Sequence, residues 1–152
     1  MKTKLLFIYF TIGFLGFNFL YAQEGSKSCE LEVKVSGLKN QKGSVMLGIY
    51  NKNHKGFPDD KYIFKNVDSK ISIPEPSILI SKIPCGKYAA AIFHDENGNK
   101  KLDKNLIGIP KEGYGFSNNP KSNFGPPNYE KAEFQLDSGK KTITIKMVYL
   151  ME

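Results

Sequence analysis

Apolar side chains recur at every second position along most of this chain, and few patterns limit a fold so tightly. Leu31, Val33 and Val35 alternate with Glu32 and Lys34, Val45, Leu47 and Ile49 repeat the pattern, and Ile143, Ile145, Met147 and Tyr149 alternate with Thr142, Thr144 and Lys146. A period of two sends successive side chains to opposite faces of an extended backbone, so each run predicts a β-strand with one dry face and one wet face. Tyr62 with Phe64, Ile71 with Ile73, and Ile78 with Ile80 give shorter runs, bounded by Pro58, Pro74, Pro76 and Pro84. Turn signals return about every ten residues, which is the spacing of a sandwich or barrel.

Two further stretches complete the strand set. Residues 88–93 are apolar on both faces, with Ala89, Ala90 and Ala91 between Tyr88 and Ile92. A helix competes there, but the run is short, opens at Gly86 without a cap and closes at Asn97-Gly98, so a central strand packed on both faces is expected. Ala132, Phe134 and Leu136 are expected to form a hairpin with the closing strand across Asp137-Ser138-Gly139. No run has the 3.6-residue period of an amphipathic helix. The predicted fold is therefore all-β: a single antiparallel β-sandwich of about seven strands, immunoglobulin-like or transthyretin-like, with one long irregular loop. A chain of 152 residues holds one such domain and excludes a two-domain enzyme.

The first 22 residues stand apart from that domain. A short basic start containing Lys2 and Lys4 precedes an almost unbroken apolar run over residues 5–20, and Ala22 offers a small residue before Gln23. This predicts a signal peptide over 1–22 and a mature domain over 23–152, exported to the periplasm or cell exterior. The alternative, an uncleaved anchor, calls for about 20 apolar residues, and Gly13, Gly16 and Asn18 interrupt the run. Cys29 lies too far past Ala22 to be a lipid-modified first residue, so a soluble exported protein is expected.

Without Lys2 and Lys4 the formal charge falls from +7 to +5, and every cation in the chain is lysine. Nucleic-acid recognition leans on the planar guanidinium of arginine, so nucleic acid is not an expected partner. Cys29 and Cys85 are the two cysteines. In an oxidising compartment one bridge is the natural use of an even number, and closing so long a loop stabilises by about 4 kcal/mol, although two separate thiols remain the alternative.

The unusual residues lie between Phe93 and Lys131. His94-Asp95-Glu96-Asn97-Gly98-Asn99 is followed by a Gly-Ile-Pro-Lys-Glu-Gly-Tyr-Gly-Phe-Ser-Asn-Asn stretch over 108–119 and by Gly125-Pro126-Pro127-Asn128-Tyr129-Glu130. Together with residues 31–38, Ile83-Pro84-Cys85-Gly86-Lys87-Tyr88 and the closing strand, these segments resemble a bacterial family of exported domains, DUF2141. The resemblance spans essentially the whole mature chain. It implies a β-sandwich and an exported location, and it brings no activity with it.

Asp95, Asn97, Asn99 and Asp103 fall at positions 1, 3, 5 and 9 of a calcium loop, with the Lys101 carbonyl at position 7. Hard oxygen ligands at alternate positions suit calcium. Lys100 stands at position 6 where glycine is expected, and Leu106 at position 12 supplies no bidentate carboxylate, so the expected affinity is weak, about 10⁻⁴ to 10⁻³ M. The competing account is a plain Asn-Gly turn with acidic flanks. Farther on, Tyr114, Phe116, Phe124 and Tyr129, with Asn118 and Asn119, either form a platform for a sugar or peptide or close an open end of the sandwich.

A catalytic constellation is hard to assemble. The histidines are His54 and His94, a Ser-His-Asp set is missing, and two separated histidines do not announce zinc. The expected function is an exported noncatalytic module that binds a glycan, peptide or envelope partner through the loop end at residues 94–129, with calcium as a candidate stabiliser. The alternatives are a small envelope hydrolase using Asp95, Glu112 and His94, or a purely structural envelope protein.

Overall fold

A computed structural model describes residues 27–51, 56–121 and 125–151. The expected signal peptide, His54 and Phe124 lie outside the described residues. Eight strands are present among those described: β1 (Ser28–Ser36), β2 (Ser44–Asn51), β3 (Lys65–Lys70), β4 (Ser77–Pro84), β5 (Gly86–Asp95), β6 (Tyr114–Phe116), β7 (Phe134–Leu136) and β8 (Lys140–Lys146). A 3-10 turn at Asp60–Tyr62 and a four-residue helix α1 (Tyr129–Ala132) join them. Of the described helices, none is long and apolar enough to cross a membrane.

The strands form two sheets, as the alternation predicts. One runs β4-β1-β8; the other runs β3-β2-β5-β6, with β7 continuing the β5 edge beyond β6. Leu31, Val33 and Val35 of β1, Ile78, Ile80 and Ile83 of β4, and Ile145 of β8 meet Val45, Leu47 and Ile49 of β2 and Tyr88, Ala90 and Ile92 of β5 in one buried core. A register shift in the β1–β4 ladder, with Lys82 in the left-handed region at φ 57°, lets Ile80 and Ile83 both face inward although three positions apart. Cys29 and Cys85 are bonded, with Cα atoms 5.2 Å apart. Cys85 lies between β4 of one sheet and β5 of the other, so the bridge fastens the corner where the chain changes sheets.

Several local expectations are corrected. Asp137-Ser138-Gly139 is not a hairpin turn: β7 pairs with β5, while β8 crosses to the opposite sheet and pairs with β1. That β1–β8 ladder is parallel, and the other ladders are antiparallel. Phe134 and Leu136 are buried against the β5 end, and burial there outweighs the local preference for a hairpin. Tyr62 lies in the 3-10 turn, and β3 starts only at Lys65. Tyr114–Phe116, in a stretch where no strand is expected, extends the β5 edge for three residues. Gly115 lets this strand also pass close to β8, because a Cβ there would stand 2.6 Å from the Lys146 carbonyl oxygen.

Candidate functional site

The β2 strand is buried along nearly all its length, including positions that alternation assigns to the wet face. Val45, Leu47 and Ile49 enter the core, so Met46, Gly48 and Tyr50 project from the outer face of the sheet. Across the ladder Met46 faces Phe93, Gly48 faces Ala91 and Tyr50 faces Ala89. The centre of this face therefore has almost no side-chain bulk. It is the floor of a groove of about 920 Å³, within the range of small-molecule sites.

Pro58, Asp60 and Ile63 form one wall with Asn66 of β3, and Lys100, Leu102, Lys104, Ile107 and Ile109 form the other, with Tyr114 and Phe116 beside the floor. A Cβ at Gly48 would lie 3.2 to 3.3 Å from Tyr50 and Ile63, whose side chains already pack over this position and leave no room for a larger residue. The Tyr50 hydroxyl donates to the Pro58 carbonyl at 3.0 Å, and Tyr50, Phe57, Phe116 and Tyr129 meet edge to face, closing that end with aromatic rings. The opposite end carries an ion pair. Asp68, the ladder partner of Met46, holds the Lys100 ammonium at 3.4 Å, and Lys104 is exposed with no ion-pair partner among the described residues. The lip between residues 104 and 110 is ordered: the Asn105 side chain accepts from the amides of Ile107 at 3.1 Å and Ile109 at 2.9 Å. That turn displays Leu106 and Ile107 to the surroundings, and Leu150, exposed as well, lines the groove with Ile107.

The aromatic and Asn-rich segment is divided between the groove and the scaffold. Tyr129 is buried in the aromatic cluster, and burial pushes its hydroxyl up to about 12. Phe116 and Tyr114 are half-buried and line the groove. Asn118 and Asn119 both take left-handed backbone, which asparagine tolerates. Their amides donate to the Glu133 carbonyl at 2.7 Å and the Thr144 carbonyl at 3.0 Å, and the Asn119 side-chain oxygen accepts from the Lys146 amide at 2.7 Å. Buried Ser117 donates to the Ala132 carbonyl at 2.5 Å and accepts from the Ala90 amide at 2.9 Å. The Ser117-Asn118-Asn119 run thus anchors β6 to its neighbours.

The acidic loop is satisfied by its own backbone. Asp95 is buried, and its carboxylate accepts from the amides of Gly98 at 2.8 Å, Asn99 at 3.1 Å and Lys100 at 2.9 Å. Glu112, also buried, accepts from the amides of Glu96 and Asp103, each at 3.0 Å. Lys100, where a calcium loop wants glycine, does adopt left-handed backbone at φ 61°. The Asn97 and Asn99 side-chain oxygens accept from the amides two residues on. Their amide nitrogens, however, both reach the Asp103 carboxylate, at 2.7 and 3.1 Å. For an ion to be held by Asp95, Asn97, Asn99, the Lys101 carbonyl and Asp103, those two amides would have to turn away from Asp103. Among the described residues no group of three or more His, Cys, Asp or Glu side chains is gathered for a metal.

His94 is fully buried, with Nδ1 2.7 Å from the Tyr149 hydroxyl and Nε2 2.7 Å from the Lys42 carbonyl. A carbonyl only accepts, so Nε2 carries a proton and donates to it. The three groups of the hydrolase alternative are thus each hydrogen-bonded to the scaffold, Asp95 and Glu112 to loop amides and His94 to Lys42 and Tyr149.

Sequence reading placed Tyr114 and Phe116 in a binding surface but missed Met46, Gly48, Ile63 and Phe93. The signal was present: residues 45–50 are six consecutive apolar or small residues, a pattern of burial on both faces. No curated protein and no solved structure matches the chain. A family model described as an uncharacterized protein conserved in bacteria matches residues 33–144, most of the chain, and this protein belongs to that family, DUF2141.

Proposed function

We propose that this protein is an exported, noncatalytic binding module that takes a ligand with apolar surface into the groove on the outer face of the five-stranded sheet. The observation that carries this reading is the groove of about 920 Å³ floored by the Gly48–Ala91 pair. A sheet face with no partner layer is ordinarily polar, because an open apolar trough costs free energy in water. Here the apolar lining is kept, and an ordered turn extends it outward through Leu106 and Ile107. A peptide or envelope partner offering apolar side chains suits this lining better than a free glycan, whose hydroxyls would face few polar groups.

Support for a noncatalytic role comes from the hydrogen bonding of Asp95, Glu112 and His94, whose polar atoms are committed to the scaffold. The rival hydrolase needs at least one of them free to move a proton. Export rests on the apolar run over residues 5–20. Calcium enters as a stabiliser of the 95–103 loop, with no contact to the ligand. The test is fluorescence titration with the neutral dye N-phenyl-1-naphthylamine. The expected result is one saturable site, lost in Ala91→Leu, which fills the floor, and retained in Asp95→Asn. Dye binding that ignores Ala91→Leu would overturn the groove as the site.

A further inference from the structure

We infer that the occupant of this groove is a single-chain amphiphile with an acidic head, such as a fatty acid, its tail laid along the sheet face and its carboxylate at Lys100 and Lys104. The inference rests on the binding reading above and names the ligand class. Three observations carry it, each concerning a different part of the groove.

The first is the floor. From Met46 to Tyr50 it runs along one strand for roughly 13 Å, about 3.3 Å per residue. Its middle is the Gly48–Ala91 pair, which contributes only a methyl group, with the side chains of Tyr50 and Ile63 packed over Gly48. The second is the shortage of backbone partners. The groove lies on the face of the sheet and not along an edge, so the floor strands spend their amides and carbonyls on each other. An extended peptide laid there would bury unpaired N–H and C=O groups, whereas an alkyl chain has none to satisfy. An apolar peptide is therefore the less favoured occupant.

The third is the polarity from end to end. Tyr50, Phe57 and Phe116 close one end with rings packed edge to face. At the Met46 end stands the Lys100 ammonium, shared with Asp68, and Lys104, unpaired among the described residues, lines the groove on the same segment. Asp60, in the wall beside Pro58, is the acid among the lining residues. An anionic head is attracted to the lysine end and repelled from Asp60, which orients the tail toward the rings.

The test is calorimetric titration of the protein with dodecanoate below its micelle concentration. Dodecyltrimethylammonium and an end-capped hexapeptide of alternating valine and threonine serve as comparison probes. One dodecanoate per chain is expected, with dodecyltrimethylammonium at least tenfold weaker and the peptide undetected. Lys100→Glu with Lys104→Glu, both on the exposed surface, should reverse the preference between the two detergents while N-phenyl-1-naphthylamine still binds. Equal binding of the two head groups, or capture of the peptide with no dodecanoate bound, would overturn the acidic amphiphile and leave the groove standing through its dye site. Loss of dye binding in the unaltered protein would instead remove the groove reading itself.

Discussion

On the outer face of the three-stranded sheet, Glu32 of β1 accepts from Ser77 of β4 at 2.8 Å and Thr142 of β8 at 3.0 Å, and it pairs with Lys140 at 2.9 Å. The same position in the five-stranded sheet is taken by Met46, Gly48, Tyr50, Ala91 and Phe93, which are covered by loops or open to the groove. β1 and β8 of the first sheet alternate strictly in sequence, whereas β2 and β5 at the centre of the second run apolar almost without a break. An outer face that meets only water keeps its polar positions, and one that keeps apolar positions has something else to meet.

The largest expected effect lies at the corner that holds the two faces in register. Replacing Cys29 and Cys85 together by serine should cost about 4 kcal/mol through the longer free loop in the unfolded chain, read as a lower denaturant midpoint. A loss under about 1 kcal/mol would mean that the sheets need no covalent joint. Asp95→Ala should cost about 3 kcal/mol, because three amides lose their acceptor in a buried place. The damage should be local, with faster amide exchange over residues 98–100.

A direct comparison of the faces comes next. Met46→Ala on the grooved face should cost about 2 kcal/mol, while Thr144→Ala on the wet face should stay within about 0.5 kcal/mol. Equal costs in paired chemical melts would mean that the two outer faces do not differ in packing. Millimolar calcium should add about 1 kcal/mol, a shift of a few degrees in melting temperature that vanishes in Asp95→Ala. Coincident melting curves with calcium and with chelator would return the loop to an Asn-Gly turn.

The smallest effect belongs to Glu32. Its carboxyl is lowered from the ordinary 4.5 to about 2, first by the Lys140 ammonium and then by the hydroxyls of Ser77 and Thr142. A depressed folded value means the unfolded chain takes up the proton first. The contribution is therefore complete above pH 4.5 and lost as the pH falls from 4.5 toward 2. Stability of Glu32→Gln should be flatter than that of the parent over this window. Parallel profiles would show that the clip on the wet face contributes nothing.

The amino-acid order by itself determined the strand-rich fold. The alternation in residues 31–35 and 143–145 allows little but half-buried strands, and the two-sided apolar run at 88–93 marks a strand at the centre of its sheet. It also brought forward Tyr114 and Phe116, because aromatic residues in a Pro- and Gly-rich segment are conspicuous. Which sheet each strand joined was decided only in three dimensions. Phe134 and Leu136 gain more by covering the end of β5 than by pairing locally with β8, so a turn that reads as a hairpin becomes a crossover to a parallel partner. The groove was decided there too. Its floor alternates with core positions on β2, and its walls come from residues 58–66 and 100–110, far apart along the chain. Period-two patterning reports how many faces of a strand are dry, but the identity of what covers each face is a long-range property.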